Sequence, residues 1–239
     1  MLSIIIPTLN EEEYLPLLLK EIKKQKFTDY EIIVADAGST DQTVAIAQEF
    51  GCRVVKGGAT VAESRNAGGQ AARGDLLLFT DADNFSWPDD FLQNLITEFK
   101  KRNLDVASFP IYPQGNFLDK IIYTLYNFWV NLTQNFSAWA TNSVLVKKEI
   151  FEKVGGFDKT IIIAEDHYFA RQAAKLGHFG FIKTKPILTS ARRLERDGRL
   201  KTYIRYLLTA LYMVLLRRPL RKRFLKYEFG YNHLKKKKQ

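Results

Sequence analysis

Hydrophobic and polar positions switch between two periods along the first hundred residues. Short apolar runs at 2–6, 32–35, 54–55 and 76–79 are separated by stretches of helical period at 11–25, 40–50, 60–73 and 88–101. Runs this short, alternating with helices, predict strands of a parallel sheet covered on both faces. Turn chemistry supports the boundaries: Gly38-Ser39 precedes the second helix, Gly57-Gly58 the third, and Pro88 stands at the expected first position of the fourth. Beyond residue 105 the texture changes. VASFPIYPQGNF leads into an aromatic-rich stretch at 117–139, and ATNSVLVKKEIFEKVGGF reads as a strand, a short helix and a Gly-Gly turn. AEDHYFARQAAKLG reads as a helix ended by Gly177. The expected organisation is an α/β domain over 1–191, in halves 1–105 and 106–191, with a helical extension over 192–239.

Composition narrows this further. A chain of 239 residues buries one large core, and 46% hydrophobic with 13% aromatic residues excludes a disordered chain. Cys52 is the single cysteine, so no intramolecular disulfide forms, and its apolar setting (CRVV) predicts a packed thiol. MLSIIIPTLNEEE has no basic n-region, which sets the expected compartment as the cytoplasm.

Charge is unevenly placed. Residues 1–191 carry 20 Lys and Arg against 23 Asp and Glu, whereas residues 192–239 carry 16 against 3. A mildly acidic body with a strongly basic end predicts a polyanionic partner. The basic runs RRPLRKR and LKKKKQ neighbour an apolar helix at 207–216 and no base-reading fold, so nucleic acid is not expected. That helix is too short to span a bilayer, which needs about 20 apolar residues. Apolar insertion beside a polybasic patch instead predicts peripheral anchoring on the anionic inner face of the cell membrane. The stretch 117–139 offers a second aromatic surface suited to the headgroup layer.

The candidate chemistry lies in LLLFTDADNFSWPDD, residues 76–90. Asp81 and Asp83 leave a strand one residue apart, at the end of the sheet where ligands bind. Two carboxylates so close repel unless a cation joins them, and Mg²⁺ or Mn²⁺ shared with substrate phosphates suits that arrangement. For an isolated Asp-x-Asp a solvated acidic turn or a helix N-cap is the commoner explanation. This one has company: SIIIPTLNEEEYL, EIIVADAGSTDQT and ESRNAGGQAARGD precede it in order. Together the four segments resemble family 2 glycosyltransferases of the GT-A fold, over roughly residues 2–185.

The resemblance implies a sugar donor that is a nucleotide diphosphate, with a divalent cation, Mg²⁺ or Mn²⁺, as cofactor. It implies that Pro7, Thr8, Asn10 and Glu11 form the nucleoside pocket, that Asp36 contacts the base, and that Arg65 is the arginine of an Ala-Arg-Asn segment, here Ser64-Arg65-Asn66. Asp81 then contacts the ribose and Asp83 the metal-bound diphosphate. Asp36-Ala37-Gly38 stands where many relatives carry two consecutive aspartates, which leaves the base open. After the Gly155-Gly156-Phe157-Asp158 turn, Glu165-Asp166 resembles the family's acidic pair, which implies Asp166 as general base of an inverting transfer. A carboxylate at a helix N-terminus is favoured in its ionised form, which suits that role. The bland readings are a first-turn acid for Glu11, a solvated helix residue for Arg65 and a cap for Glu165 and Asp166. His167 is expected to pack, not to ligate metal. The acceptor hydroxyl is unknown, with a lipid-linked one suggested by the basic end.

Two rivals are weighed. Aspartyl-phosphate phosphatases also carry Asp-x-Asp, but on the first strand and with Thr or Val at the fifth place, where this chain has Phe85. A nucleotide-binding scaffold tethered by the basic end needs no base, and Asp166 argues against it.

Overall fold

The apolar runs resolve into the two faces of one sheet. In β1 (Leu2–Thr8) Ile4 and Ile6 enter one core and Ile5 the other; in β4 (Leu76–Phe79) Leu78 enters the first, Leu77 and Phe79 the second. This follows from the strand period of two, with both faces dry. The structure is a computed structural model and describes residues 1–161, 163–216, Pro219 and Arg221.

Around β1 and β4 run α1 (Leu15–Lys24), β2 (Tyr30–Asp36), α2 (Thr43–Glu49), β3 (Arg53–Lys56), α3 (Val61–Ala71) and α4 (Phe91–Lys101). The second half adds β5 (Val106–Ser108), β6 (Ile111–Pro113), α5 (Phe117–Thr133), β7 (Val144–Lys147), α6 (Lys148–Val154) and α7 (Glu165–Ala173). It continues with β8 (Phe179–Phe181), β9 (Ile187–Thr189), α8 (Arg192–Asp197) and α9 (Arg199–Leu216). The main sheet has the order β3-β2-β1-β4-β7-β5-β8, and β6 pairs with β9 in a small second sheet. The first four strands are mutually parallel, while β7 runs antiparallel to both β4 and β5. The result is the α/β, mostly parallel sheet expected.

The reversal of β7 matters for function. It brings the start of β7, next to Phe79, to the same edge at which β1, β2, β3 and β4 end. Side chains from both halves of the chain therefore meet at one edge, the one where open sheets bind ligands.

Helices cover the sheet unequally. Leu15, Leu18, Leu19 and Ile22 of α1 join Phe91, Leu92, Leu95, Ile96 and Phe99 of α4 on one face. The other face takes α3, α6 and α7 around an aromatic cluster of Phe79, Phe151, Phe157 and Phe169, with Phe157 and Phe169 stacked at 4.2 Å. A third cluster, Val130, Trp139, Phe181 and Met213, lies under α5 and α9.

Three local expectations are corrected. Pro88 precedes α4 instead of opening it: its carbonyl accepts from the Phe91 N–H (2.9 Å) and from Gln25 Nε2 (3.0 Å), so it closes a turn onto α1. The helix expected to run to Gly177 ends at Ala173, followed by tight turns in which Lys175 N–H donates to Gln172 and Leu176 N–H to Ala173. Trp139 is not part of an aromatic surface. It is 1% exposed, packed under Arg171, whose guanidinium lies 4.8 Å from its ring. The basic segments beyond residue 216 lie outside the described residues apart from Pro219 and Arg221.

Close approach of α3 to the sheet depends on missing side chains. A Cβ on Gly68 would collide with Ile5 Cγ2, and one on Gly69 would stand 2.6 Å from the Phe151 ring. Gly68→Ala is expected to destabilise the fold by about 1–3 kcal/mol, the usual cost of overpacking a dense core. Urea unfolding followed by circular dichroism measures it, and an unchanged midpoint would mean that α3 can shift away from β1.

Candidate functional site

At the ends of β1 and β2 the polar side chains bind one another. Asp36 accepts from Thr8 Oγ1 (3.0 Å), from the Gly38 and Ser39 backbone N–H groups (2.9 and 2.8 Å) and from Ser39 Oγ (2.5 Å). Asn10, in the left-handed region at φ 56°, donates its N–H to Ser39 Oγ (2.8 Å), and its Oδ1 accepts from the Thr40 N–H (2.9 Å). Pro7 sits inside β1 opposite Ala35, buried, and fixes the backbone just before Thr8. The Asp36 carboxylate thus orders the loop that follows it. Beside it opens a cavity of about 330 Å³ lined by Asp36, Ala37, Gly38, Val54, Val55 and Gly57. Apolar walls with one polar rim suit a flat heterocycle.

Next along the edge, β4 delivers Asp81 and Asp83. Asn84 anchors their loop: its Nδ2 donates to Thr80 Oγ1 (2.9 Å) and Ser143 Oγ (3.0 Å), and its Oδ1 accepts from Asn142 Nδ2 (2.9 Å). This lattice ties the β4 exit to the β7 entrance. Arg65 then crosses from α3, 2% exposed, and donates from one nitrogen to Asp81 Oδ1 and from the other to Glu165 Oε1, both at 2.8 Å. Its guanidinium also lies 5.3 Å from the Phe157 ring. Burial opposes its charge, but Asp81, Glu165 and Asp166 outweigh that and hold it protonated more firmly than usual. The solvated-helix reading of Arg65 therefore fails.

Glu165 and Asp166 open α7, held in place from two sides. Asn66, next to Arg65, clamps the preceding turn: its Nδ2 donates to the Phe157 carbonyl (2.8 Å) and its Oδ1 accepts the Phe157 N–H (2.7 Å). Ala164, at φ 64°, takes the left-handed conformation immediately before Glu165. For a residue with a Cβ this costs on the order of 1 kcal/mol or more, and such strain gathers at functional sites. Burial raises Glu165 to about 7 and Asp166 to about 6, against the pull of Arg65 in both cases. Asp166 Oδ1 accepts the His167 N–H (2.7 Å), a helix N-terminal bond that favours the carboxylate. His167 packs its ring against Trp139 at 5.3 Å, and burial lowers it to about 4, so it is neutral at physiological pH.

Arg192 was not anticipated. It donates from one terminal nitrogen to Glu11 Oε1 (2.6 Å), sets its Nε 3.3 Å from Asp83 Oδ2, and lies 4.8 Å over the Tyr14 ring. Its approach is fixed by Ser190, whose N–H donates to the Asp83 carbonyl (3.0 Å) and whose Oγ accepts the Arg192 N–H (3.1 Å). Glu11 is accordingly no ordinary first-turn acid. Burial raises it to about 7 despite Arg192, and its Oε2 is buried with no hydrogen-bond partner among the described residues. Burial also raises Asp83. The sequence signal for Arg192 was its place at the start of the basic end, next to Arg193-Leu194-Glu195-Arg196.

A divalent ion fits this donor set in one way. Among the described residues no three His, Cys, Asp or Glu side chains converge into a cage. The edge instead offers oxygen donors only, with Asp83 projecting from the strand exit and Glu11 Oε2 orphaned beside it. That matches a hard cation taking one protein carboxylate and completing its shell with substrate oxygens and water.

Similar proteins share this framework. A solved structure of S. aureus TarS 1-349 in complex with UDP superposes with a TM-score of 0.64 at 21% identity, covering 79% of this chain and 60% of that one. The mannosyltransferase PcManGT from Pyrobaculum calidifontis, in complex with GDP-Man and Mn²⁺, superposes with a TM-score of 0.63 at 20% identity, covering 79% and 56%. These likenesses establish the GT-A fold. In sequence, the chain is 28% identical over 188 residues to an uncharacterized glycosyltransferase of Haemophilus influenzae, covering 71% of this chain and 60% of that relative's length. The profile of glycosyl transferase family 2 matches residues 3–156, from the first strand through Asp36, Arg65, Asp81 and Asp83 to the Gly-Gly turn before α7. The chain belongs to glycosyl transferase family 2.

Proposed function

We propose that the chain is an inverting glycosyltransferase that moves a sugar from a nucleoside diphosphate to an acceptor hydroxyl with Mg²⁺ or Mn²⁺ as cofactor. The observation that carries this reading is the Arg65 bridge, which ties Asp81 of the donor edge to Glu165 beside Asp166. On this reading residues 1–105 hold the nucleotide and 106–191 present the acceptor. The nucleoside base enters the cavity beside Asp36, bounded by the loop that Pro7, Thr8 and Asn10 stabilise. Asp81 takes the ribose, and Asp83 holds the metal-bound diphosphate with Glu11 and Arg192 behind it. The ion, when bound, neutralises charge that develops on the departing diphosphate.

Asp166 removes the proton from the acceptor hydroxyl. The oxygen then bonds to the anomeric carbon from the face opposite the diphosphate, and the carbon–oxygen bond to the diphosphate breaks, its electron pair leaving with the nucleotide. Arg65 holds Glu165 and Asp81 in place, so positioning and fixed charge supply most of the rate. We assign the work to the cytoplasmic face of the cell membrane, on a lipid-linked acceptor. The basic excess over residues 192–239 and the single buried thiol support that placement. A phosphatase is disfavoured because Asp81 follows the fourth strand of the chain and not the first, with Phe85 at the fifth place of its motif.

Three outcomes test this. Asp83→Ala is expected to abolish the Mn²⁺-dependent part of UDP or GDP binding in calorimetry, with the circular dichroism spectrum unchanged. Unaltered affinity that still needs metal would remove Asp83 from the site. Asp166→Asn is expected to keep nucleotide affinity and to lower kcat by about 10²–10⁴-fold, the usual worth of a positioned base. Transfer at the wild-type rate would make Asp166 a helix cap alone. Because Asp166 works only when ionised and titrates at about 6, kcat/KM is expected to hold above pH 7 and to fall about tenfold per unit well below pH 6. A flat profile down to pH 4.5 contradicts the assignment.

A further inference from the structure

Helix α5 has two unlike faces. Asp119, Tyr123, Tyr126, Asn127 and Val130, at spacings of three and four, turn inward. Tyr126 reaches the start of α7: its ring is 6.4 Å from that of His167, the residue after Asp166, and its Oη donates to the Ala140 carbonyl (2.7 Å). The opposite stripe, Phe117, Ile121, Leu125, Phe128 and Leu132, is exposed, with Leu125 at 62% and Phe128 at 63%. Helix α9 repeats the pattern. Thr202, Thr209 and Met213 are buried, while Leu200, Ile204, Leu207, Leu211 and Leu215 are exposed.

The two helices are locked together. Asp119, 0% exposed, accepts from Arg199 Nε (3.0 Å) and Tyr203 Oη (2.6 Å), and Met213 packs against Val130 and Trp139. Five outward apolar side chains on each helix, at ~100 Å² each, make a stripe on the order of 500 Å² per helix, so that each alone matches the largest patch of a typical soluble monomer, about 300–600 Å². No described helix is long and apolar enough to cross a membrane. Helices of 17 and 18 residues, about 25 Å long, instead suit lying in the surface layer.

Charge identifies the occupant. α9 carries Arg199, Lys201 and Arg205 and no acidic residue, and the one acid of α5 is the buried Asp119; Arg199 and Arg205 pair with Asp119, Glu195 and Asp197, while Lys120 and Lys201 stand exposed. Neither helix therefore exposes a carboxylate. A second copy placed on this face would oppose cation to cation, whereas anionic lipid headgroups complement it. We propose that α5 and α9 together dock the chain on an anionic bilayer, and that the acceptor is an amphiphile anchored in that bilayer whose hydroxyl passes α5 to reach Asp166. The outer stripe of α5 and Tyr126, on its inner face near the start of α7, are separated by one helix thickness, about 10–12 Å. A short headgroup spans that distance. The acceptor half rests on the glycosyl-transfer reading; the docking half does not.

Two measurements separate the halves. Sedimentation of the full chain with phosphatidylglycerol–phosphatidylcholine vesicles is compared for wild type, Leu125→Glu/Phe128→Glu and Leu207→Glu/Leu211→Glu. Each double variant is expected to partition at least tenfold more weakly, with an unchanged melting curve and unchanged UDP or GDP binding. Wild type that stays in the supernatant, variants that pellet like wild type, or dimers in ultracentrifugation that the variants abolish without vesicle binding would overturn the docking face. Binding lost only on removing residues 217–239 would place the anchor in the tail instead. For the acceptor, radiolabelled nucleotide sugars are incubated with a membrane lipid extract or a cytosolic extract. The label is expected in butanol with the lipid extract, and label confined to the aqueous phase with the cytosolic extract overturns the amphiphilic acceptor. No transfer to either extract from any donor would count against glycosyl transfer itself, leaving the vesicle result to decide docking.

Discussion

One buried guanidinium holds the edge of the sheet together. Arg65 reaches across from α3 at 2% exposure and joins Asp81, at the end of β4, to Glu165, at the start of α7. A charge this deep is tolerable only when paired, and losing one partner of such a bridge costs about 3–5 kcal/mol. The geometry around it exists to keep the three groups in register. Gly68 and Gly69 bring α3 close to the sheet, Asn66 clamps the turn before α7, and the antiparallel run of β7 places Asn142 and Ser143 where they can brace the Asp81–Asp83 loop. The same packing buries Asp166, and burial raises it to about 6 against the pull of Arg65.

Much of this was readable from the sequence where local chemistry decides structure. The first four strands are apolar runs bounded by turn residues, and their period of two survives packing because both faces are covered. The three-residue strands β5, β6, β8 and β9 carry no such signal, since a run of three fits any structure and only pairing across the sheet defines it. Pro88 shows the limit of capping rules: a proline near a helix start can serve the preceding turn when a neighbour such as Gln25 needs its carbonyl. The ordered motifs pointed to Asp36, Arg65, Asp81, Asp83 and Asp166, and the fold gathers them along one edge. They did not show that Thr8 and Ser39 bind Asp36, with Asn10 held on Ser39 and Thr40. Nor did they reveal Arg192, which meets Glu11 across 181 residues of chain. Contacts of that range depend on how α8 returns to the sheet, and no local pattern encodes it.

Helix α5 carries the site's surroundings outward. Its inner Tyr126 packs near His167 at the start of α7, its outer stripe is bare hydrocarbon, and Asp119 couples it to α9 through Arg199 and Tyr203. A 17-residue helix with so little polar surface needs an apolar environment on both sides. The third core cluster supplies one of them.

The configuration of the product tests the mechanism most directly. With the active nucleotide sugar, early-time proton NMR of the anomeric coupling constant reports whether the new bond has the opposite configuration to the donor. One displacement driven by Asp166 predicts inversion, an α-linked donor giving a β-linked product. Retention would contradict a single in-line step and with it the role assigned to Asp166.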